Sequence, residues 1–340
     1  MLAAQTTLQN AQKVKEFLIR KDIINHNYIC VKEMGLMYFP ITQKINVPHA
    51  KVLNTKFTFP QKPRPPTPQD LLKNDLTKKE LKLLPQAQEL VGTIMILEVP
   101  EELIKKEHLI AKAYLQTNRQ ITTIVKKEDI HAGEYRLRTV KVLAGINTKE
   151  TTHHENNISL KLDLEKTYFS ARTASERLRI AKQVKPQETI LVMFAGVAPM
   201  PLVIAKNAEP KIIHAVELNP SAYDYAQENI QMNHFEKVIS FHHGDVKDIV
   251  PKLKMKFDRI AMPLPKTGEE FLPLALKFIK KDGIIHHYAF LEKDQFTAHA
   301  AKVKTICTKA GHSIRILRKV KCGQFSPKTF RVCFDIKVIK

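Results

Sequence analysis

Polar residues follow a series of apolar runs, at the points where a predicted strand gives way to a predicted helix. Gly196 follows "TILVMFA", Glu217 stands 21 residues further on at the end of "KIIHAVEL", and Asp245 ends "KVISFHHGD". Glycine permits a close backbone approach, and a carboxylate at a strand end accepts hydrogen bonds from ribose hydroxyls. These residues predict a site for an adenosine-bearing ligand at the carboxyl edge of a sheet, although a single strand-end Glu is more often structural.

The residues expected around that ligand come from four successive strand ends. They are Phe194, Ala195, Gly196, Val197, Glu217, Leu218, Asn219, Asp245, Val246 and Pro263. We expect Asp245 to meet an adenine amino group and the "MPLP" segment at 262–265 to meet a substrate base. A dinucleotide requires GxGxxG to admit its pyrophosphate, whereas this turn has Val197, Ala198 and Met200. A single glycine suits S-adenosylmethionine, which carries no phosphate.

The elements that must position these residues alternate between strand and helix. Five apolar strand candidates lie between 189 and 291, and amphipathic helical stretches separate them. This order predicts an α/β fold with a mostly parallel, doubly wound sheet. Two more strands, "HSIRILRKVK" and "KTFRVCFDIKVIK", predict a C-terminal antiparallel hairpin at the sheet edge. Seven strands in this order are the outline of the Rossmann-like class I S-adenosylmethionine-dependent methyltransferases.

The sequence predicts four segments, and the last of them contains this sheet. Residues 1–58 form a basic α+β module, with a helix over 10–20 and two short strands around Gly35. Residues 59–70 contain five prolines and predict a linker. Residues 71–166 mix helices and short strands in an α+β middle domain, and 167–340 form the ligand-binding domain.

Charge and cysteine content limit the class of protein. The net charge is +21, with Lys and Arg outnumbering Asp and Glu by 10 to 3 over 1–66 and by 11 to 1 over 301–340. Basic ends around a nearly neutral middle favour a polyanionic partner, with a solubility-driven surface as the alternative. The four cysteines lack CxxC spacing, so no metal site or disulfide framework is expected. No signal peptide or membrane span is evident, and we expect a cytoplasmic protein.

Several motifs taken in order resemble the archaeal and eukaryotic tRNA guanine-N1 methyltransferases that modify position 37. They are "EYRLRTVKVLAG", "YFSARTASERLRIA", "MFAGVAPMPLVIAK", "AVELNPSAYDYAQENI", "GDVKDI" and "DRIAMPLPKTGEEFLPLAL". The similarity also reaches the N-terminal module, through "VKEFLIRKDIINHNYICVKEMGLMYFPI", so it covers essentially the whole chain. It implies α+β RNA-recognition domains ahead of the methyltransferase sheet and a tRNA substrate with G37. It also implies a monomer without a stable protein partner.

The resemblance also implies roles for individual residues. Glu176, in the "ER" pair, matches the general base that removes the N1 proton of guanine. Arg136, with Arg138 as second choice, matches the cation that stabilises charge on O6. The extruded base is expected near Tyr168 and Pro265, because chemistry on a ring nitrogen requires the base to leave its stack. The residues alone favour a structural interpretation, with Glu176 as a surface carboxylate paired with Arg179 or Arg172 and the two arginines as an exposed strand face; the resemblance reverses that preference.

The chain departs from the family pattern at the first and fourth strands. Val192, Ala198 and Met200 replace an Asp, a Gly and a Phe, and Pro263 replaces an Asn whose side chain forms hydrogen bonds. Two further hypotheses therefore stay open. One is a related enzyme of tricyclic-guanosine synthesis, although the relatives that transfer an aminocarboxypropyl group carry Gly-Asn at the positions of Arg172 and Thr173. The other is a catalytically weakened tRNA-binding paralogue.

Overall fold

The computed structural model describes residues 1–86, 88–128, 135 and 137–339. The chain divides into two compact units, Met1–Pro66 and Thr67–Lys340. In the described part of the chain, no helix is both long enough and apolar enough to cross a membrane.

The first unit is a four-stranded antiparallel sheet with one helix. Its elements are β1 (Leu2–Thr7), α1 (Ala11–Arg20), β2 (Val31–Glu33), β3 (Leu36–Pro40) and β4 (Lys51–Asn54), in the strand order β2-β3-β1-β4. Helix α1 buries Val14 and Leu18 in a core that includes Ala4 and Phe39 of the sheet. The helix and the two strands around Gly35 lie where the sequence predicts them, whereas β1 and β4 were not predicted.

The proline-rich segment begins as part of the first unit. Phe59 is buried, the backbone N–H of Ile29 donates to the Pro60 carbonyl oxygen at 2.8 Å, and the N–H of Lys62 donates to the Asn27 carbonyl at 2.8 Å. The first residues of the predicted linker 59–70 therefore belong to the first unit. The stretch that lacks both regular structure and these contacts is shorter than predicted.

The second unit opens with a small mixed sheet and its helices. They are α2 (Pro68–Leu72), α3 (Lys78–Lys82), β5 (Glu89–Val91), β6 (Ile94–Leu97), a 3₁₀ helix (Glu101–Lys106), α4 (Glu107–Thr117), β7 (Thr123–Lys127) and β8 (Val140–Gly145). The strand order is β5-β6-β7-β8, with only β6 and β7 parallel. Thr67 and Thr77 begin α2 and α3 with capping boxes, in which the hydroxyl and an acidic side chain satisfy reciprocal backbone N–H groups.

A β-hairpin that was not predicted from the sequence follows this sheet. Strands β9 (Glu150–Glu155) and β10 (Ile158–Asp163) meet at Asn156 and Asn157, whose φ angles are +45° and +64°. Two successive positive φ angles are typical of a type I′ hairpin turn, for which asparagine is suited. An Asn-Asn pair ahead of the alternating "ISLKLD" run was therefore the available sequence signal.

The main sheet has seven strands with helices on both faces. Its elements are α5 (Ala174–Ala181), β11 (Thr189–Met193), α6 (Pro199–Asn207), β12 (Ile212–Glu217), α7 (Pro220–Met232), β13 (Ile239–His243), α8 (Val246–Lys252), β14 (Phe257–Met262), α9 (Leu272–Phe278), β15 (Ile279–Leu291), α10 (Gln295–Lys309), β16 (Ile314–Gln324) and β17 (Phe330–Val338). Two short 3₁₀ helices, Ala171–Thr173 and Gly268–Phe271, precede α5 and α9.

The strand order, β13-β12-β11-β14-β15-β17-β16, confirms the predicted sheet. Strands β11 to β15 pair in parallel, and β17 lies antiparallel between β15 and β16. Alternate residues of β11 enter opposite cores: Ile190 and Val192 pack with α5, α6 and α7, while Leu191 and Met193 pack with α8, α9 and α10. The central strand is thus buried on both faces, which is the arrangement expected of a parallel sheet covered by helices.

Asn229 of α7 and Asn233, which directly follows that helix, attach the β9–β10 hairpin to the main sheet's helical layer. The side chain of Asn229 accepts from the Lys161 N–H at 2.7 Å and donates to the Lys161 carbonyl at 3.0 Å, and Asn233 makes the same pair of bonds with Ser159. Each amide therefore satisfies one residue of the β10 edge as a neighbouring strand would.

Gly145 at the end of β8 provides a test of how closely this strand packs against the backbone that leads into β7. Its φ is +90°, and a Cβ at this position would overlap the Thr122 carbonyl oxygen. Gly311, just beyond α10, has a φ of +80°, and a Cβ there would meet nothing within 4 Å, so it is a matched control. We expect Gly145→Ala to lower the free energy of unfolding by roughly 3 kcal/mol, and Gly311→Ala by about 1 kcal/mol, because only the first adds overlap to backbone strain. Chemical denaturation of the whole chain measures both values. Equal losses would show that the approach of Thr122 does not constrain position 145.

Candidate active site

The turn after β11 brings the backbone sharply into the first turn of α6. Phe194, Gly196 and Ala198 have φ angles of +56°, +57° and +68°. The Ala195 N–H donates to the Val216 carbonyl at 3.0 Å, and Pro199 is the first residue of α6. Since a Cβ on Gly196 would meet only ordinary contact, 3.5 Å from the Tyr168 carbonyl oxygen, glycine is favoured here by its backbone angle.

Glu217 at the end of β12 is fixed against this turn. One carboxylate oxygen accepts from the Gly196 N–H at 2.7 Å and the other accepts from the Asn219 N–H at 2.9 Å. Burial raises the pKa of the Glu217 carboxyl, and these backbone donors partly oppose that effect. The Gly196 N–H is thus already occupied, which disfavours a phosphate ligand and leaves Glu217 as the acceptor at this edge.

A cavity of about 430 Å³ lies at the carboxyl ends of β11 to β14, which we call the strand-end cavity. A volume of this size is typical of small-molecule sites. Of the ten residues predicted to bind the ligand, eight line it: Phe194, Gly196, Glu217, Leu218, Asn219, Asp245, Val246 and Pro263. Ala195 lines a neighbouring cavity instead. Val197 lies in the core, and its carbonyl oxygen accepts from the Asn229 side chain at 3.0 Å.

The far side of the strand-end cavity includes residues that were not predicted from the sequence. Phe271 packs edge-on against Phe194, with ring centroids 4.8 Å apart, and the Lys247 ammonium lies 5.2 Å from the Phe271 centroid. Asp245 begins α8, and its carboxylate accepts from the Lys247 N–H at 2.8 Å. Lys247 is two residues past the predicted Asp245, but nothing in the local sequence marks Phe271 as a wall of this cavity.

A second cavity, the Glu176 cavity, adjoins the first. The two share Tyr168, Phe194, Gly196 and Pro263 as lining residues. Of these two cavities, only the Glu176 cavity is lined by Glu176, Tyr288 and Arg331. The structure therefore brings the predicted base to the cavity next to the strand-end cavity, with Pro263 on the boundary.

Glu176 is buried, with 3% of its surface exposed, and is held by three donors. Arg179 donates from Nε to Oε2 at 2.6 Å and from Nη2 to Oε1 at 2.8 Å, and the Tyr288 hydroxyl donates to Oε1 at 2.8 Å. Burial raises the pKa of the Tyr288 phenol well above its usual value, so Tyr288 remains a donor. The pairing with Arg179 considered from sequence does occur, but in the interior rather than on a surface.

Arg179 also joins Glu176 to the C-terminal strands. Its Nη1 donates to Asp335 Oδ2 at 2.7 Å, and His286 Nδ1 lies 2.7 Å from Asp335 Oδ1. Since Arg259 donates to His286 Nε2 at 2.7 Å, the His286 proton lies on Nδ1 and points to Asp335. Hydrogen bonds from His286 and Arg179 hold the pKa of Asp335 well below its usual value despite burial, and burial lowers the pKa of His286.

The remaining predicted site residues lie elsewhere. Arg136 is outside the described residues. Arg138 is buried with its Nη1 3.7 Å from Glu89 Oε2, and it lines a third cavity rather than the Glu176 cavity. Pro265 is not among the residues that line the strand-end or Glu176 cavities. The chain reverses after Met262, whose carbonyl accepts from the Leu264 N–H at 2.7 Å, and the Pro265 carbonyl accepts from Phe290 at 3.2 Å.

Sheet order and site together define a class I S-adenosylmethionine-dependent methyltransferase. The strand-end cavity lies at the strand ends where this fold binds its ligand, and a carboxylate-bearing second cavity adjoins it. Comparison with known proteins then narrows the class.

Residues 151–317 match the TRM5/TYW2 methyltransferase domain, and residues 69–148 match the TYW2 N-terminal domain. The chain is 32% identical to the tRNA (guanine(37)-N(1))-methyltransferase Trm5b of Pyrococcus abyssi over 99% of both chains. It is 33% identical to a tRNA(Phe) (4-demethylwyosine(37)-C(7)) aminocarboxypropyltransferase of Pyrococcus horikoshii, over 81% of this chain and 97% of that one. The crystal structure of Pyrococcus abyssi Trm5b superposes with a TM-score of 0.76, at 30% identity and full coverage of both chains. The chain belongs to the TRM5/TYW2 methyltransferase family.

Glu217 allows a test of the strand-end cavity as the cofactor site. We expect Glu217→Gln to weaken binding of S-adenosylmethionine about 10- to 100-fold, because it removes a charged acceptor for the ribose hydroxyls. Isothermal titration calorimetry measures the Kd, with the exposed Glu209→Gln as the matched control. The raised pKa of Glu217 also predicts that wild-type affinity falls on acidification at a higher pH than for an ordinary Glu, and that the variant loses this dependence. An unchanged Kd in the folded variant would remove Glu217 from the cofactor site.

Proposed function

We propose that this protein transfers a methyl group from S-adenosylmethionine to N1 of guanosine 37 in tRNA. The observation that carries the proposal is Glu176, a buried carboxylate in a cavity that shares a wall with the strand-end cavity. The match to Trm5b over 99% of both chains supports this activity over aminocarboxypropyl transfer, since the relative named for that reaction aligns with 81% of this chain.

The strand-end cavity fits the cofactor by its donors and acceptors. Glu217 would accept hydrogen bonds from the ribose hydroxyls, Asp245 would hold the adenine amino group, and the turn around Gly196 would provide a close backbone surface. When bound, S-adenosylmethionine supplies an electrophilic methyl group on its sulfonium. The chain's own residues supply the proton chemistry and hold the base.

Glu176 accepts the proton that leaves N1 as the nitrogen forms its new bond to carbon. A carboxylate offers about four lone-pair sites. Tyr288 and Arg179 Nη2 use Oε1, and Arg179 Nε uses one site on Oε2. The second site on Oε2 is therefore the one for the substrate proton. Arg179 and Tyr288 are positioning residues, because they fix which lone pair faces the cavity.

Loss of the N1 proton moves electron density onto O6, and a cation there lowers the barrier. Arg136 remains the proposed cation, with Arg138 as the second choice. Arg138 lies beside Glu89 and outside the Glu176 cavity in this structure, whereas Arg331 lines that cavity. The structure thus adds Arg331, which was not considered from the sequence.

The basic first unit is proposed to bind the tRNA away from the anticodon. It carries 10 Lys and Arg against 3 Asp and Glu over residues 1–66. Contacts to phosphates release counterions, so the affinity for tRNA falls steeply as salt rises.

Glu176→Gln tests both the base and the reaction. We expect kcat for methyl transfer to an unmodified G37 transcript to fall at least 100-fold, since general bases contribute about 10²- to 10⁴-fold. The Kd for S-adenosylmethionine stays unchanged, because Glu176 does not line the strand-end cavity. Transfer of labelled methyl to G37 and A37 transcripts, followed by mass analysis of the nucleoside, gives the readout.

Glu209→Gln is the matched control for that measurement. Unchanged activity of Glu176→Gln would overturn Glu176 as the base. A wild-type product other than 1-methylguanosine would overturn the reaction itself, and its mass would identify an aminocarboxypropyl group or a methylated tricyclic base.

A second experiment ranks the arginines. We expect Arg136→Ala to lower kcat by about 10²- to 10³-fold, the usual cost of losing one oxyanion donor, and Arg138→Ala to lower it far less. Single-turnover kinetics with saturating cofactor and tRNA separate this effect from binding. The reverse ranking would assign O6 to Arg138, and full activity of both variants would exclude both as the O6 cation.

A further inference from the structure

The third cavity, which we call the aromatic cavity, carries an exposed aromatic surface that the proposed reaction does not use. Phe325, in the turn between β16 and β17, is 64% exposed and lies 4.2 Å from Phe290, centroid to centroid, with the rings 31° from parallel. The Phe325 N–H donates to the Thr329 carbonyl at 2.9 Å, and the Thr329 N–H donates to Ser326 Oγ at 3.2 Å. This turn therefore presents a positioned ring to solvent.

Cations surround this aromatic pair. Lys127, Arg138, Arg172 and Arg331 line the cavity, against one carboxylate, Glu89, which already lies near Lys127 and Arg138. The Arg331 guanidinium lies 5.5 Å from the Phe290 ring centroid, and its buried Nε has no hydrogen-bond partner among the described residues. Flat aromatic rings with a basic rim are the surface that binds single-stranded nucleic acid.

This aromatic cavity lies beside the Glu176 cavity and shares five lining residues with it. Both are lined by Tyr168, Phe169, Ser170, Thr173 and Arg331. We therefore expect a nucleic-acid strand with one base beside Glu176 to bring a neighbouring nucleotide within reach of Phe325.

We propose that the aromatic cavity is a second nucleotide subsite, in which Phe325 stacks on the base immediately 5′ or 3′ of the methylated guanosine and the arginines contact its phosphate. This inference rests on the proposed function for its substrate. Stacking is tolerant of base identity, so the subsite holds the unstacked strand in place without reading its sequence.

Phe325→Ala tests the subsite through steady-state kinetics. We expect KM for the G37 transcript to rise about tenfold with kcat nearly unchanged, because stacking on an aromatic ring contributes to binding of the strand. Phe325→Tyr retains a ring and restores KM. Leu317→Ala, an exposed apolar residue of the same hairpin outside the cavity, is the matched control and leaves KM unchanged.

Transcripts with an abasic site at position 36 or 38 identify the partner of Phe325. The Phe325→Ala effect should vanish on one of these transcripts, because the stacking base is already missing. An effect of the same size on both, or no effect on the intact transcript, would overturn the subsite.

A binding readout separates this inference from the methylation proposal. A transcript with 2-aminopurine at position 36 or 38 should fluoresce less in complex with wild type than with Phe325→Ala, and Glu176→Gln should behave as wild type. Stacking without 1-methylguanosine formation would overturn only the proposed reaction. Methylation with no Phe325-dependent quenching at either position would overturn only the subsite.

Discussion

The bidentate and bridging hydrogen bonds of Arg179 are the interaction on which the site depends. Arg179 holds Glu176 on its own helix, α5, and Asp335 on β17, 156 residues further along the chain. A buried carboxylate without such a partner would carry a desolvation cost of several kcal/mol. The arginine that holds the base is itself anchored by Asp335, so strand β17 of the C-terminal hairpin becomes part of the active site.

Charges alternate along this network, which explains why it tolerates burial. Glu188 pairs with Arg259, neutral His286 links Arg259 to Asp335, and Arg179 links Asp335 to Glu176. No two like charges are neighbours in this sequence of contacts. Removing one member would leave an uncompensated buried charge, at a cost of about 3–5 kcal/mol, so the network fixes one geometry of Glu176 rather than several.

Local patterns were enough to predict the parallel sheet, because β11 is buried on both faces and reads as an apolar run, and β12 to β15 contain apolar runs or alternating apolar residues. Glu217 and Asp245 follow directly from such runs and were found to line the same cavity. Arg331 and Phe325 escaped prediction, because their meeting with Tyr168 and Phe290 depends on the pairing of strands distant in sequence. A signal for Asp335 existed: an acid within the apolar run "RVCFDIKV" is expected to be paired when buried.

Three of the four positions that depart from the family pattern, Val192, Ala198 and Pro263, lie in surroundings that show what each change does. Val192 packs in the apolar core beneath α6, where an ionised Asp would need a partner. Ala198 accepts a left-handed φ of +68° that glycine would adopt more readily. Pro263 lies on the boundary of both cavities and offers no side-chain donor. With that wall apolar, the orientation of Glu176 rests on Tyr288 and Arg179, so polar control of the reaction lies on the α5 and β15 side of the cavity.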